Sequence, residues 1–499
     1  MDLVVVSNRV ARAKANEPMT GGLAAALLPV VEKSGAIWVG SSGRVRDNVS
    51  KDSFAEIESL GAGALALLDL PAAHYGGYYE GFANSALWPA LHSRNDLIKV
   101  SQDDYQSYRE VNAFMARALM RFNKPSAAFW IQDYHFLTLG AEMRDLGVRN
   151  PLGFFLHTPW PSRRVIAGVP HHRNLVESML AYDLIGFQTE DDCENFANYL
   201  RAEIGLDVDD GIVTSRFGSS RIAVFPIGID VDGFAAQAQR AASHPDVSRL
   251  RKSLHGERLA IGVDRVDYSK GLVNRISAFD RLFEIQPSLK RSVSLLQIAT
   301  PSRGGIEAYS NLQDELSKQV TEVNGRHGEV DWTPIRYLSK GFSQTVLAGF
   351  YRAAQVGVVT PLHDGMNLVA KEYVAAQNPI DPGVLVLSKF AGAANELDTA
   401  LLVNPHDIDS MARTIAMALS MPSAERRLRW EAMMAKLRAG TIHNWFAGFI
   451  DALEATRAAV GPSLSPSVIR PLRLAGGSVV SGGGRMREPA HFTPRPVAN

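Results

Sequence analysis

The chain has one cysteine, Cys193, in 499 residues, so neither an intramolecular disulfide nor a multi-cysteine metal site is available to it. No apolar run approaches the roughly 18 residues needed to span a bilayer, and the opening LVVV is too short for a secretory signal. These absences predict a soluble, cytoplasmic protein with no membrane partner. Charge of one sign is also lacking, since 52 Lys and Arg meet 52 Asp and Glu. Without a global field nothing recruits nucleic acid, and anionic ligands must be met by a few placed cations. No GxxxxGK[ST] phosphate loop occurs. The loose dinucleotide fingerprint from Gly61 to Ala66 precedes a strand where it should follow one, which argues against a nicotinamide-dependent oxidoreductase. The adjacent pair His171-His172 lacks the spacing of a zinc site, and no metal is expected.

What is present is an alternation of short apolar runs with amphipathic stretches, the pattern of βα units on parallel sheets. In the first half the strands read LVVVSN, AIWVG, ALALLDL, AFWIQD, PLGFFLH and DLIGFQT, with AVFPIG at 223–228 closing the domain. The second half begins again with LAIGVDR, SVSLLQIA, IRYLS, VGVVT, GVLVLS and ALLVN. A chain this long exceeds one core and suits two domains of about 200 residues. The pattern predicts an α/β protein of two doubly wound Rossmann-like domains across a cleft, residues 1–232 and 233–440, with a linker near 228–234. A helix near 441–458 carries Trp445, Phe446, Phe449, Ile450 and Leu453 on one face. In 461–499, Gly, Pro and Ser fill 17 of 39 positions, and five Arg face one acid, Glu488. Such a segment buries too little surface to offset its ordering entropy and is expected to be a disordered, dispensable basic tail.

The densest chemistry lies in TPLHDGMNLVAKEYVAAQ, 360–377. The strand VGVVT runs into a turn with Asp364 and Gly365, and a helix is expected from about Met366. The unpartnered amides of a first helical turn form an anion site. Glu372, two turns in with Lys371 beside it, is an acid able to grip a sugar diol. An acid at the turn, free amides and a second acid suit a nucleotide-sugar; an ordinary strand–turn–helix with solvated charges is the plain alternative. DRVDYSKG, 264–271, follows the strand LAIGV. Arg265 and Lys270 share that loop and are able to converge on a diphosphate, one as a rigid fork and one as a point charge. Open α/β sheets bind ligands at the carboxyl ends of their strands, which favours this over a solvated face.

Further runs follow in order: VVVSNRV at 4–10, GGL at 21–23, YYEGFANSALWPALHSR at 78–94, QDYHFL at 132–137, GFFLHTPWP at 153–161 and YDLIGFQTE at 182–190. They continue with VDRVDYSKG at 263–271, TPSRGG at 300–305, HDGMNLVAKEYVAAQ at 363–377 and FAGAANEL at 390–397. On these motifs, from residue 3 to about 455, the chain resembles the trehalose-6-phosphate synthases. Those are retaining glucosyltransferases that join a nucleotide-activated glucose to glucose 6-phosphate. The resemblance implies the GT-B arrangement, with the 441–458 helix crossing back to cap the first domain. It implies a nucleotide-glucose co-substrate, with UDP-glucose expected although the sequence does not reveal the base. No tightly bound cofactor is implied, and a homo-oligomer is expected. No aspartate-rich phosphatase motif follows, so a separate phosphatase would act on the product.

Residue by residue, the resemblance places Arg9, Tyr79 and Arg303 on the acceptor phosphate and Trp88 against the acceptor ring. Asp133 and His157 would bond the acceptor and donor sugars. Gly21 and Gly22 open a helix on the donor side, where a missing Cβ lets backbone approach phosphate. Arg265 and Lys270 would offset charge on the departing diphosphate. Asp364 would take donor-sugar hydroxyls, the amides of Met366, Asn367 and Leu368 the diphosphate, and Glu372 the ribose. Same-face attack with the leaving phosphate as base is likewise implied, and no second carboxylate for a covalent intermediate is evident. Gln132, Trp160 and His363 depart from the family's His, Phe and Arg, the last removing a cation beside the donor site. An alternative is a related enzyme that couples a cyclitol to a sugar-like amine. Such relatives lose the acceptor-phosphate residues, and Arg9, Tyr79, Trp88 and Arg303 are all present. A catalytically silent paralogue would show losses among Arg265, Lys270, Asp364 and Glu372, and none is lost.

Overall fold

The structure is a computed structural model that describes residues 2–10, 22–47, 49, 54 and 56–459. Gly21 and the 461–499 stretch, read as a tail, lie outside the described residues. Two sheets organise the chain. The first contains β1 (Asp2–Arg9), β2 (Ile37–Arg46), β3 (Glu56–Leu60), β4 (Gly63–Pro71) and β5 (Ala127–Gln132). It continues with β6 (Leu152–Phe155), β7 (Leu184–Phe187), β8 (Ile212–Ser215) and β9 (Gly218–Val224). Their spatial order is β3-β4-β2-β1-β5-β6-β7-β9-β8, parallel throughout except for an antiparallel pair at each edge.

The second sheet is wholly parallel, in the order β12-β11-β10-β13-β14-β15. Its strands are β10 (Arg258–Arg265), β11 (Val293–Thr300), β12 (Ile335–Leu338), β13 (Val356–Val359), β14 (Val384–Ser388) and β15 (Leu401–Val403). The molecule is therefore α/β with two parallel-sheet domains. Strands covered by helices on both faces are apolar all along, which is why these runs stand out in the sequence. The two strands the pattern does not reveal, β3 and β8, are short edge strands whose residues lie largely at the surface. The strand expected at 223–228 is displaced: β9 ends at Val224, its outer residues are too exposed to read as an apolar run, and 225–228 carries the chain out of the sheet.

The chain passes from the first sheet to the second over 225–230, because the helix Val231–Ala241 already occupies part of the stretch expected to be a linker. Gly228 lies against the returning chain: a Cβ there would sit 2.1 Å from the Gly440 carbonyl oxygen. Ile442 then donates its amide to Ile229, 3.2 Å away. The last helix, Ile442–Ala459, covers the first sheet. Its Phe449 is fully buried and stacks on Trp130 of β5 at 4.6 Å. Gly153 of β6 and Gly186 of β7 make the room, since a Cβ on either would lie within 2.8 Å of that ring.

Cys193 sits partly buried in the helix Glu190–Tyr199, and burial pushes its thiol up to about 12, so it remains protonated at neutral pH. Among the described residues no helix is long and apolar enough to cross a membrane, and no cluster of His, Cys, Asp or Glu is placed to hold a metal.

Candidate active site

The candidate residues gather at the carboxyl ends of strands from both sheets, where strand-to-helix loops face each other. Arg9 is the last residue of β1; Asp133 and His157 follow β5 and β6; Arg265 ends β10; Arg303 and Asp364 follow β11 and β13. Several contacts join the two domains here. Trp88 Nε1 donates to Asp267 at 3.4 Å, Arg303 Nη2 to the Tyr134 hydroxyl at 3.1 Å, and Lys99 pairs with Glu307 at 2.9 Å. His363 Nδ1 lies 3.3 Å from Ser93 Oγ. Gly365 is pressed on the His157 carbonyl, which a Cβ would approach to 2.1 Å.

Among the residues read as acceptor-binding, Tyr79 stands in a π-helical segment, Gly76–Leu87, and stacks with Tyr75 at 5.5 Å and His135 at 6.0 Å. Gly77 and Gly81 let this segment lie against the helix Gln102–Leu119; a Cβ on Gly81 would meet the Asp104 carboxylate at 2.5 Å. Asn84 ties the Tyr79 carbonyl, 2.7 Å away, to the Tyr134 hydroxyl at 2.9 Å. That hydroxyl in turn accepts from Arg303, whose guanidinium lies 3.9 Å from the Trp88 ring centroid. Arg303 has φ +48°, donates from Nη1 to Asp267 and the Tyr309 hydroxyl, and has a buried Nε with no hydrogen-bond partner. Burial opposes its charge, but Tyr134, Tyr309 and Asp267 outweigh that and raise its pKa. Arg9 is exposed, packs over Gly43 and lies within electrostatic reach of Tyr75.

Asp133 (φ +75°) accepts the His157 amide at 3.3 Å. Burial pushes its carboxyl up to about 6, against that bond, the Tyr134 amide, Arg303 and Arg265. His157 Nε2 lies 2.9 Å from Gln132 Oε1, so Nε2 carries the hydrogen and Nδ1 is left as an acceptor. Burial pushes this ring down to about 3, and it stays neutral. Gln132, one of the departures from the family pattern, is thus the partner that fixes the His157 ring.

Among the residues read as donor-binding, Lys270 Nζ pairs with Asp364 at 2.5 Å, and Asn367 Nδ2 reaches the same carboxylate oxygen at 2.9 Å. Burial would raise the Asp364 pKa, yet Lys270, His92 and Asn367 together outweigh it and hold the carboxyl below its usual range. Arg265 is exposed and makes no ion pair among the described residues; its guanidinium stands 5.7 Å from the Trp88 ring. Buried Arg275 braces the loop, pairing with Asp264 at 2.7 Å and donating to Thr360 Oγ1 at 3.1 Å.

The helix begins at Leu368 and not near Met366, because Asn367 is left-handed at φ +73°. Among the described residues the amides of Met366, Asn367, Leu368 and Val369 meet no protein acceptor. Glu372 is therefore just past one turn into the helix, not two. Burial pushes it up to about 7, against the nearby Tyr351 hydroxyl. Lys371 does not share its setting: it is fully buried, donating to the Ile227 carbonyl at 2.7 Å and Glu396 at 2.6 Å. Gly22 is the first residue of the helix Gly22–Ser34.

Sequence reasoning missed the buried supports Asp267, Tyr134, Tyr309 and Asn84. Asp267 was visible as an acid between Arg265 and Lys270, but nothing in the sequence marks it as fully buried. A concavity of about 370 Å³ lined by Arg109, Glu142, Asp145, Asn174 and Arg216 lies elsewhere and contains none of the candidate residues.

The sequence profile of Glycosyltransferase family 20 matches residues 3–455. The chain belongs to that family. It is 44% identical over 459 residues to the trehalose-6-phosphate synthase of Sinorhizobium fredii, covering 91% of this chain and 98% of the relative. Among solved family structures, it resembles an alpha,alpha-trehalose-phosphate synthase (UDP-forming) from Burkholderia xenovorans in complex with glucose-6-phosphate. That likeness has 42% identity and a TM-score of 0.88, over 91% of this chain and 100% of the other. The E. coli family structure bound with UDP-2-fluoro glucose is 38% identical, with a TM-score of 0.85 over 91% of this chain and 99% of the other.

Proposed function

We propose that this family 20 enzyme transfers glucose from UDP-glucose to glucose 6-phosphate, giving α,α-trehalose 6-phosphate. Arg303 carries the reading: its guanidinium lies 3.9 Å from the Trp88 ring centroid, its buried Nε has no hydrogen-bond partner, and Tyr79 lies within electrostatic reach. An arginine fork with an open donor suits a phosphate, and an aromatic face suits a sugar ring. The relative with bound glucose-6-phosphate supports the acceptor, and the one with a bound UDP-sugar analogue supports the donor.

In this reading Arg9, Tyr79 and Arg303 hold the acceptor phosphate, and Trp88 and Asp133 its sugar. Lys270, Arg265 and the amides at 366–368 hold the diphosphate. Asp364 and the His157 ring meet the donor glucose, and Glu372 the ribose. Before donor binds, Asp364 neutralises Lys270; the diphosphate then competes for that cation. The bond from the glucose anomeric carbon to the diphosphate oxygen breaks while one to the acceptor hydroxyl oxygen forms on the same face. The hydroxyl proton passes to the departing phosphate oxygen. Arg265 and Lys270 stabilise the charge that grows there. We further propose domain boundaries within 225–230 and 440–442, where the two crossings touch. The product phosphate is left for a separate phosphatase.

The test is a product assay with several glucose nucleotides against glucose 6-phosphate and free glucose. A pocket built for a charged group leaves its cations unpaired when that group is missing, so glucose 6-phosphate should be preferred by orders of magnitude. Equal use of free glucose would overturn the assignment.

A further inference from the structure

We propose that Asp267 is a positioning residue that fixes Arg303 and Trp88 for acceptor binding without touching substrate. The proposal rests on the reading of Arg303 as a phosphate ligand. Asp267 is fully buried, and five donors reach its two oxygens. Oδ1 accepts from the Ser269 amide at 3.0 Å, Ser269 Oγ at 2.9 Å and Trp88 Nε1 at 3.4 Å. Oδ2 accepts from Arg303 Nη1 and the Tyr309 hydroxyl, each at 3.3 Å. One carboxylate therefore joins its own loop, the loop after β11 and the indole of the other domain.

The consequence for Arg303 is geometric. A planar guanidinium pinned at Nη1 by an ion pair and at Nη2 by Tyr134, and packed over the Trp88 ring, has no free rotation left. Its unpartnered Nε then points in one fixed direction. Removing the carboxylate charge would by itself favour an anionic ligand, since Arg303, Arg265 and Lys270 would lose a nearby negative charge. Removing the anchor would disfavour it. Asp267→Asn separates the two: Oδ1 still accepts from Ser269 and Trp88, while an amide nitrogen now faces Nη1, donor against donor.

The experiment uses the full-length enzyme as wild type, Asp267→Asn, Arg303→Ala and the double variant. It measures KM and kcat for glucose 6-phosphate at saturating UDP-glucose, and the converse, with thermal melts to confirm folding. Asp267→Asn is expected to raise the acceptor KM about tenfold, the size of a lost charge-assisted bond, and to change the donor KM less than about twofold. The double variant is expected to match Arg303→Ala, because the two residues act as one unit. If Asp267→Asn fails to fold, Tyr309→Phe, which removes the hydroxyl shared by Asp267 and Arg303, must raise the acceptor KM selectively. An unchanged or lowered acceptor KM, or a double variant worse than Arg303→Ala by the full Asp267→Asn factor, would overturn the positioning role. A wild-type acceptor KM in Arg303→Ala would instead remove the phosphate reading itself, and this proposal with it.

Discussion

Single side chains at the proposed site are held by protein partners that, in the proposed reading, the substrates displace or join. Lys270 is neutralised by Asp364 in a pair with little solvent. Lys270→Ala removes a cation from the proposed diphosphate site and also takes away the ion-pair partner of Asp364. The expected result is a fall in kcat of about 10- to 150-fold, equivalent to ~1.5–3 kcal/mol for a charge-assisted bond, with acceptor KM little changed. Near-normal turnover in steady-state assays would exclude Lys270 from the diphosphate site. Glu372 offers a thermodynamic test. Its carboxyl titrates at about 7 in the folded chain, against about 4.3 in an unfolded one. Between those values the folded state binds more protons, so this group makes stability fall as pH rises through the window. Glu372→Gln should therefore melt above wild type at pH 8 and level with it near pH 4. A Tm difference that does not change with pH would mean burial of the charge is not the cause.

At the scale of elements, the loops after β6 and β13 meet without room for a side chain. Gly365 is flanked by the His157 carbonyl on one side and by Gly392 on the other, where a Cβ on Gly392 would lie 1.9 Å from the Gly365 carbonyl oxygen. Three backbone segments touching in this way have no flexible atom to yield. Gly365→Ala is expected to push the loops apart, lowering kcat/KM for donor and acceptor together by at least about tenfold, since small misplacements of reacting groups are costly. Circular dichroism should show the helices and sheets intact. A variant with normal kinetics would show that these loops separate during turnover. The π-helical segment with Tyr79 follows the same logic, because Gly77 and Gly81 allow its close approach to the helix Gln102–Leu119.

For the whole molecule, the last helix makes the first domain depend on distant sequence. Phe449 is fully buried against Trp130, Phe155 and Phe225, contributed by β5, β6 and the crossing segment. Replacing it by Ala leaves a cavity over the sheet and should destabilise the enzyme by about 3–5 kcal/mol in urea unfolding. A loss below about 1 kcal/mol would show that the sheet face closes without this helix. The crossings at 225–230 and 440–442 touch beside Lys371, whose ammonium holds the Ile227 carbonyl. The residue next to it, Glu372, is the proposed ribose ligand, so the crossings and the proposed donor site meet on one helical turn.

The α/β class, the six strands of the second sheet and six of the nine in the first were legible in the amino-acid sequence; of β9 (Gly218–Val224) the expected run at 223–228 meets only the last two residues. Parallel strands covered on both faces need uninterrupted apolar runs, and those are visible without coordinates. The sequence also determined which polar residues end those strands, because open sheets bind ligands there. Tertiary structure alone decided how these residues are partnered. That Lys270 faces Asp364, that Lys371 is buried away from Glu372, and that the helix starts at Leu368 depend on contacts and backbone angles with no local signature. Asp267 is the clearest case. In sequence it is one acid among several, and only the packing of Trp88, Arg303 and Tyr309 around it removes its water and gives it five donors. Burial is a property of the assembled chain, and so is every pKa shift that burial causes.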